Sequence, residues 1–220
     1  MSNVILIHET DFEKGTWQFT AARLLLETGY KSPHNREDDL ESFYHVLNWM
    51  ALRYTSHTLD PESLASELER IFDDTYRSPD GRAAGGQTKM SEIMSGTSNK
   101  FAAFQNQPLA QLLETVRKLV AVQYQDEPDG KAEQLDFDRY QSKMNKLRKQ
   151  EGFTSLFTEA LMSDQGWDAK SEKIDHPLAN LDGRTWKKRM ADITQLCPGP
   201  NDYDGHSAKR PKRASDDRAW

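Results

Sequence analysis

The stretch from Gly81 to Thr88 has the glycine spacing nearest to that of a phosphate-binding loop. Such a loop surrounds phosphate oxygens with backbone amides and adds a lysine that neutralises the terminal phosphates. Gln87 stands at the position of that lysine, and a predicted helix precedes the glycines where a strand would be needed. We therefore interpret the stretch, within a flexible glycine-rich region from Ser78 to Gly86, as a surface loop without phosphate chemistry.

Two other segments contain incomplete nucleotide-site motifs. Val120-Ala121-Val122-Gln123 has a glutamine where an ATP-anchoring lysine would stand, and it lies on a predicted helix. Asp11-Phe12-Glu13 offers a carboxylate for magnesium. A long loop should follow a metal-binding aspartate of this type, whereas only Lys14 lies between Glu13 and Gly15. The six histidines and the single cysteine lack metal-ligand spacing. The sequence thus predicts no catalytic residue, no metal ligand and no cofactor for this chain.

A basic cluster near the C-terminus is the remaining motif with a chemical function. It consists of Lys209, Arg210, Lys212 and Arg213. An extended basic peptide can lie across an acidic receptor groove, which indicates a nuclear-import signal. The alternative is a solvated tail that only adds solubility.

The charge balance of the 220 residues limits the classes of partner. There are 29 lysines and arginines against 35 acidic residues, which gives a net charge of −6. Residues 206–220 contribute five basic and two acidic side chains, so the rest of the chain carries −9. An acidic body repels nucleic-acid phosphate, and no apolar run is long enough to cross a bilayer. The expected partner is therefore a protein, and the expected location is intracellular, either nuclear or cytoplasmic.

The spacing of apolar residues predicts a mainly α protein. The strongest pattern begins at Asp38, which with Glu41 has the form of a capping box. It continues as one apolar stripe: Leu40, Phe43, Tyr44, Leu47, Met50, Ala51 and Tyr54. Trp49 lies on the same face, and a stripe this aromatic is typical of a helix inside a core. His45 is predicted on the polar flank, at the surface or partly packed.

Other helices are predicted from start signals and shorter stripes. Asp60-Pro61 and Pro108 have the form of helix starts. The first is followed by Leu64, Leu68, Ile71 and Phe72, and the second by Leu109, Leu112, Leu113, Val116, Leu119, Val120 and Tyr124. Beyond an acidic linker, a charged helix (Phe137 to Leu147), a short apolar helix (Phe153 to Leu161) and a last basic helix (Trp186 to Ile193) are predicted. Val4–Ile7 is a possible short strand.

Two segments resemble landmarks of one protein family, in the right order. Gly15-Thr16-Trp17-Gln18-Phe19-Thr20-Ala21 is similar to the G-T-x-Q-F-M-A segment of the fungal-type protein kinase family. Asp38-Asp39-Leu40-Glu41-Ser42-Phe43-Tyr44 is similar to its H-D-L-E-S-F helix start, and also resembles casein kinase one. Shorter downstream matches are Ile71-Phe72-Asp73-Asp74, Asp80-Gly81, Gly85-Gly86 and Lys89. The resemblance spans residues 15–124, and its ordered combination is fairly specific.

The resemblance implies roles for individual residues. Gly15, Thr16 and Trp17 would bind substrate at the end of the activation segment, where Thr16 matches a threonine that hydrogen-bonds the catalytic aspartate and lysine. Asp39 and Ser42 would be structural at the start of the central buried helix, with Asp39 bracing the catalytic loop through backbone amides. The implied fold is a partial kinase C-lobe-like helical domain with a disordered C-terminal tail.

The departures from the family concern catalysis. Arg23 stands where the family has a glutamate, so the usual Glu–Arg ion pair is not expected. The glycine-rich ATP loop, the catalytic aspartate with its asparagine and the magnesium-binding motif are also missing. Phosphoryl transfer depends on positioning and charge neutralisation by those groups. ATP and magnesium are therefore expected only for a full-length relative.

The sequence thus predicts a fragment of a fungal-type Ser/Thr protein kinase that is catalytically inactive, in effect a truncated pseudokinase. The alternative is a non-catalytic helical interaction or scaffold module, nuclear if the basic cluster acts as an import signal. A third interpretation is an unrelated helical protein with chance matches. The predicted division is an irregular N-terminal remnant (1–14), a C-lobe-like region (15–125), a charged helical extension (126–197) and a disordered basic tail (198–220).

Overall fold

The computed structural model describes residues 17–27, 29, 32–130, 133–162, 167 and 174–177. Eight α-helices are found there: α1 (Ala22–Leu25), α2 (Arg36–Tyr54), α3 (Pro61–Phe72), α4 (Gln87–Ser95), α5 (Thr97–Ala102), α6 (Gln107–Val120), α7 (Gln134–Arg148) and α8 (Gln150–Met162). The described residues also contain two 3-10 turns, Trp17–Phe19 and Ala121–Tyr124, and two strands, β1 (Thr75–Arg77) and β2 (Ala83–Gly85). The prediction of a mainly α protein is confirmed.

Helix α2 begins earlier than its sequence pattern suggests. The capping box is formed by Asn35 and Asp38, not by Asp38 and Glu41. The Asn35 side chain accepts a hydrogen bond from the Asp38 amide at 3.1 Å, and the Asp38 carboxylate accepts one from the Asn35 amide at 2.8 Å. The predicted capping pair is therefore wrong, because Asn35 satisfies the first-turn amides and leaves Glu41 to point into the protein.

The starts of α3 and α6 follow the predicted signals. The Asp60 side chain accepts hydrogen bonds from the amides of Glu62 and Ser63, with Pro61 in the first turn. The Asn106 side chain caps α6 by accepting from the Leu109 amide at 2.9 Å, and Pro108 again lies in the first turn. The predicted stripes of α3 and α6 are buried apart from Tyr124, which follows α6 and is half-buried.

The glycine-rich region is more ordered than predicted. Strands β1 and β2 pair antiparallel, with Thr75 opposite Gly85. Gly86 follows with a left-handed φ of +83°, and a Cβ atom there would lie 2.5 Å from the carbonyl oxygen of Ala22. The expectation of a surface loop is wrong for residues 84–86, which are buried because this turn packs directly onto α1.

Helices α7 and α8 pack against the preceding helices. Helix α8 contacts α6, and α7 contacts both α2 and α6. Met144, Leu147 and Phe153 join the same buried cluster as Leu52, Leu68 and Leu113. The part of the predicted charged extension that the structure describes therefore shares one core with the predicted C-lobe-like region.

Several sequence predictions lie outside the described residues. These are the Val4–Ile7 strand, the Trp186–Ile193 helix, the disordered tail from 198 to 220 and its basic cluster. Within the described part of the chain, none of the helices has the length and apolar character needed to cross a membrane.

Candidate functional site

The buried face of α2 is largely polar. Asp38, Glu41, His45 and Asn48 recur at helical spacing, and each is at most 4% exposed. Two members of the predicted apolar stripe, Phe43 and Met50, are instead 62% and 50% exposed. The prediction that the apolar stripe lies inside a core is therefore wrong for Phe43 and Met50, and the prediction of a surface or partly packed His45 is wrong, because α2 turns its polar residues toward the segment 17–25.

Glu41 is the centre of this polar face. Its Oε1 atom accepts hydrogen bonds from the Ala22 amide at 2.7 Å and from His45 Nε2 at 3.1 Å. Its Oε2 atom accepts from the Tyr124 hydroxyl at 2.6 Å and from the Gln123 side-chain amide. We call these five residues, Ala22, Glu41, His45, Gln123 and Tyr124, the Glu41 cluster. All four partners donate, so a buried carboxylate joins three separate parts of the chain.

Burial fixes the protonation of two members of the Glu41 cluster. It lowers the pKa of His45, against the opposing effect of the hydrogen bond to Glu41. Burial also raises the pKa of Tyr124, and the neighbouring charge of Glu41 adds to the increase. A neutral imidazole and a neutral phenol are the forms that donate to the carboxylate at neutral pH.

Lys89 attaches the same segment from the other side. Its side chain, on α4, is 1% exposed, and Nζ donates to the carbonyl oxygens of Trp17 at 2.8 Å and Thr20 at 3.1 Å. Burial lowers the pKa of Lys89 to about 7, although the charges of Glu41, Asp73 and Asp74 favour the protonated form. Both available acceptors are backbone carbonyls of one short turn, so Lys89 holds the backbone of residues 17–20 in place.

An ion pair connects α1 to the start of α2. The Arg23 guanidinium pairs with the Asp38 carboxylate and also donates to the carbonyl oxygen of Pro33 at 3.0 Å. Burial raises the pKa of Asp38, and the Asn35 amide and Arg23 oppose the increase. Arg23 thus has an acidic partner although the family's Glu–Arg pair is not expected here.

The buried carboxylate at the start of α2 belongs to Asp38, and Asp39 lies at the surface. The Asp39 side chain is 70% exposed and lies 3.4 Å from His34. The carboxylate that accepts a backbone amide at the start of α2 is the completely buried one of Asp38. Asp39 does not make the backbone brace expected of it among the described residues, because the helix starts at Arg36 and turns Asp39 outward.

The other predicted site residues are only partly described. Gly15, Thr16 and the import residues Lys209, Arg210, Lys212 and Arg213 lie outside the described residues. Trp17 is half-buried at the start of its 3-10 turn, and Ser42 is half-buried on α2. No group of three metal-ligating side chains is found in the part of the chain that the structure describes.

The sequence analysis does not predict that Glu41 and Tyr124 belong to one cluster, or that Lys89 holds the neighbouring turn. It places Tyr124 in an apolar stripe and Lys89 only in a family match. The available signal was the spacing of Asp38, Glu41, His45 and Asn48, which forms a second stripe on α2. Polar residues at helical spacing normally indicate a solvated face. This stripe is therefore recognised as buried only when the groups that bind it, such as the Ala22 amide and Tyr124, are known.

The arrangement is suited to positioning, not to chemistry on a bound molecule. The Glu41 carboxylate accepts bonds at both oxygens, and Lys89 Nζ is bonded to two carbonyls. Together they fix the turn Trp17–Phe19 and helix α1 against α2, α4 and the end of α6.

Comparisons of the chain with protein-family models, with curated proteins and with solved structures found no match in any of the three.

Proposed function

We propose that the chain is the substrate-side part of a fungal-type protein kinase C-lobe, that it transfers no phosphate by itself, and that it acts by holding a protein partner or substrate. The observation that supports this most strongly is the attachment of residues 17–25 to α2 through Glu41 and to α4 through Lys89. These residues directly follow Gly15-Thr16, the proposed substrate-binding segment.

A kinase C-lobe requires the two matched segments side by side. The motif at residues 15–21 and the motif at residues 38–44 are separated in sequence, yet the residue directly after the first motif contacts the second: the Ala22 amide lies 2.7 Å from the Glu41 carboxylate. The Arg23–Asp38 ion pair joins the same two regions. If the two motif matches were coincidental, nothing would require the two segments to lie in contact.

The lack of phosphoryl transfer follows from charge. Gln87 and Gln123 stand where nucleotide-site lysines would be needed, and neither can neutralise phosphate. Lys89 cannot replace them, because its buried Nζ already donates to two backbone carbonyls. Transfer would also require a base and magnesium ligands that the sequence does not supply.

Contact with a protein is supported by the outer face of α2. Phe43 and Met50 lie seven residues apart, about two turns along the same face, and both are at least half exposed. Large exposed apolar side chains at such spacing favour binding to another protein surface.

Isothermal titration of the full chain with ATP and magnesium tests the proposal. We expect no saturable heat of binding, while an active protein kinase measured in the same buffer supplies the positive control. Saturable binding with a micromolar dissociation constant would contradict the proposal, because it requires a nucleotide site that the residues do not provide.

A further inference from the structure

Residues 174–177, which we call the strap, lie against the C-terminal end of α2. The Ile174 amide donates to the Tyr54 carbonyl at 3.2 Å, and the His176 amide donates to the Arg53 carbonyl at 3.1 Å. The last carbonyls of a helix have no partner within it, so the strap satisfies groups that would otherwise need water. The Arg53 side chain also binds the strap: it donates to the carbonyl of His176 and to Asp175 Oδ1 at 2.8 Å.

A stacked pair of histidines joins the strap to the loop after α2. The rings of His57 and His176 are 4.1 Å apart between centroids, with an interplanar angle of 22°. His176 Nε2 donates to the Thr55 carbonyl at 2.7 Å. Two stacked imidazoles attract each other while at least one is neutral and repel each other when both carry a proton.

The hydrogen bonds of His57 fix it in the neutral form. Nε2 lies 2.8 Å from the Leu52 carbonyl, which can only accept, so Nε2 carries the hydrogen. Nδ1 accepts from the Leu59 amide at 3.2 Å. A second proton would have to enter at Nδ1, where it would face an N–H group and break that bond.

Two charged groups lie beside the pair. Arg53 on α2 adds a positive charge and Asp175 in the strap adds a negative one that Arg53 neutralises. Phe104, which carries no charge, packs on His57 in an edge-type arrangement with 6.2 Å between the ring centroids. A pair that carries two protons gains no compensating charge from Asp175, because that carboxylate is already paired with Arg53.

We propose that the strap is a proton-operated latch, which stays on helix α2 while His57 is neutral and detaches when both stacked histidines are protonated. Burial lowers the pKa of His57 below its ordinary 6.5, and the charge of His176 adds to the decrease. Release of the strap removes the charge of His176 from His57, so His57 binds a proton more readily when the strap is detached. Attachment therefore weakens as the pH falls below 6.5.

Hydrogen exchange of the Ile174 and His176 amides, measured by NMR on the full chain, tests the latch. After correction for intrinsic exchange rates, we expect protection of both amides at about pH 7.5 and a loss of about tenfold or more at about pH 5.5. The Leu113 amide in α6 should keep its protection at both values, because the release is local.

Two variants distinguish the latch from general acid sensitivity. His57→Gln keeps a side-chain amide for the Leu52 carbonyl but cannot bind a proton, so the strap amides should stay protected at the lower pH. His34→Gln, at an exposed histidine before α2, should behave as the wild type. The proposal would be overturned by a strap unprotected at the higher pH, by protection that does not change with pH, by an equal loss in His57→Gln, or by a parallel loss at Leu113.

Discussion

Replacing Glu41 by alanine is expected to lower the free energy of unfolding by roughly 3–5 kcal/mol. The substitution removes one acceptor and leaves four donors without it: the Ala22 amide, His45, Gln123 and Tyr124. The buried Ala22 amide and His45 then lose a hydrogen bond without gaining water, and the half-buried Gln123 and Tyr124 lose the same acceptor. Urea unfolding followed by tryptophan fluorescence measures the change.

Two further variants make the Glu41 result interpretable. Glu41→Gln keeps one acceptor oxygen but places an N–H group where two donors now converge, so we expect a smaller loss of about 1–3 kcal/mol. Asp39→Ala is the matched control on the same helix, because its carboxylate is 70% exposed, and its effect should stay within about 0.5 kcal/mol. A Glu41→Ala variant no less stable than Asp39→Ala would contradict the role of the Glu41 cluster.

Replacing Lys89 by methionine should change how stability depends on pH. The folded lysine has a pKa of about 7, against 10.5 for the free side chain. Between these values the unfolded chain binds a proton that the folded chain does not, so the stability of the wild type rises with pH. Methionine has similar length and no titrating group. Relative to Lys89→Met, the wild type should gain about 2–3 kcal/mol between pH 7 and pH 9.

The control for this prediction is Lys100→Met, at an exposed lysine on α5. Its stability should follow the wild-type profile across the same pH range, because the side chain is exposed in the folded chain. Urea unfolding at a series of pH values, with the difference between each variant and the wild type as the readout, removes the contributions of other titrating groups. A constant difference between wild type and Lys89→Met would show that Lys89 stays protonated.

Local signals in the sequence were enough to predict most of the helices. Asp60-Pro61 and Pro108 act through their own neighbours, so the starts of α3 and α6 could be derived without knowledge of the fold. The orientation of α2 could not be derived in this way. Its two faces have competing patterns, and only the partners brought by α1 and the end of α6 determine that the polar one is buried.

The hairpin was missed for a related reason. Strands β1 and β2 have three residues each, too few for a periodic pattern. Gly85 and Gly86 were interpreted as flexible, whereas each allows a close approach of backbone: to Asp74 and Trp17 for Gly85, and to Ala22 for Gly86. Glycine permits both flexibility and close packing, and the sequence alone does not separate the two.

Native-state hydrogen exchange of the Ala22 amide tests most directly whether Glu41 fixes residues 17–25 in the core. This amide begins α1 and has no acceptor within that helix, so any protection must come from the Glu41 carboxylate. We predict that it exchanges only through global unfolding, with the same free energy as the Leu113 amide of α6, and faster in Glu41→Gln. Exchange of Ala22 as rapid as that of an exposed amide would contradict the account.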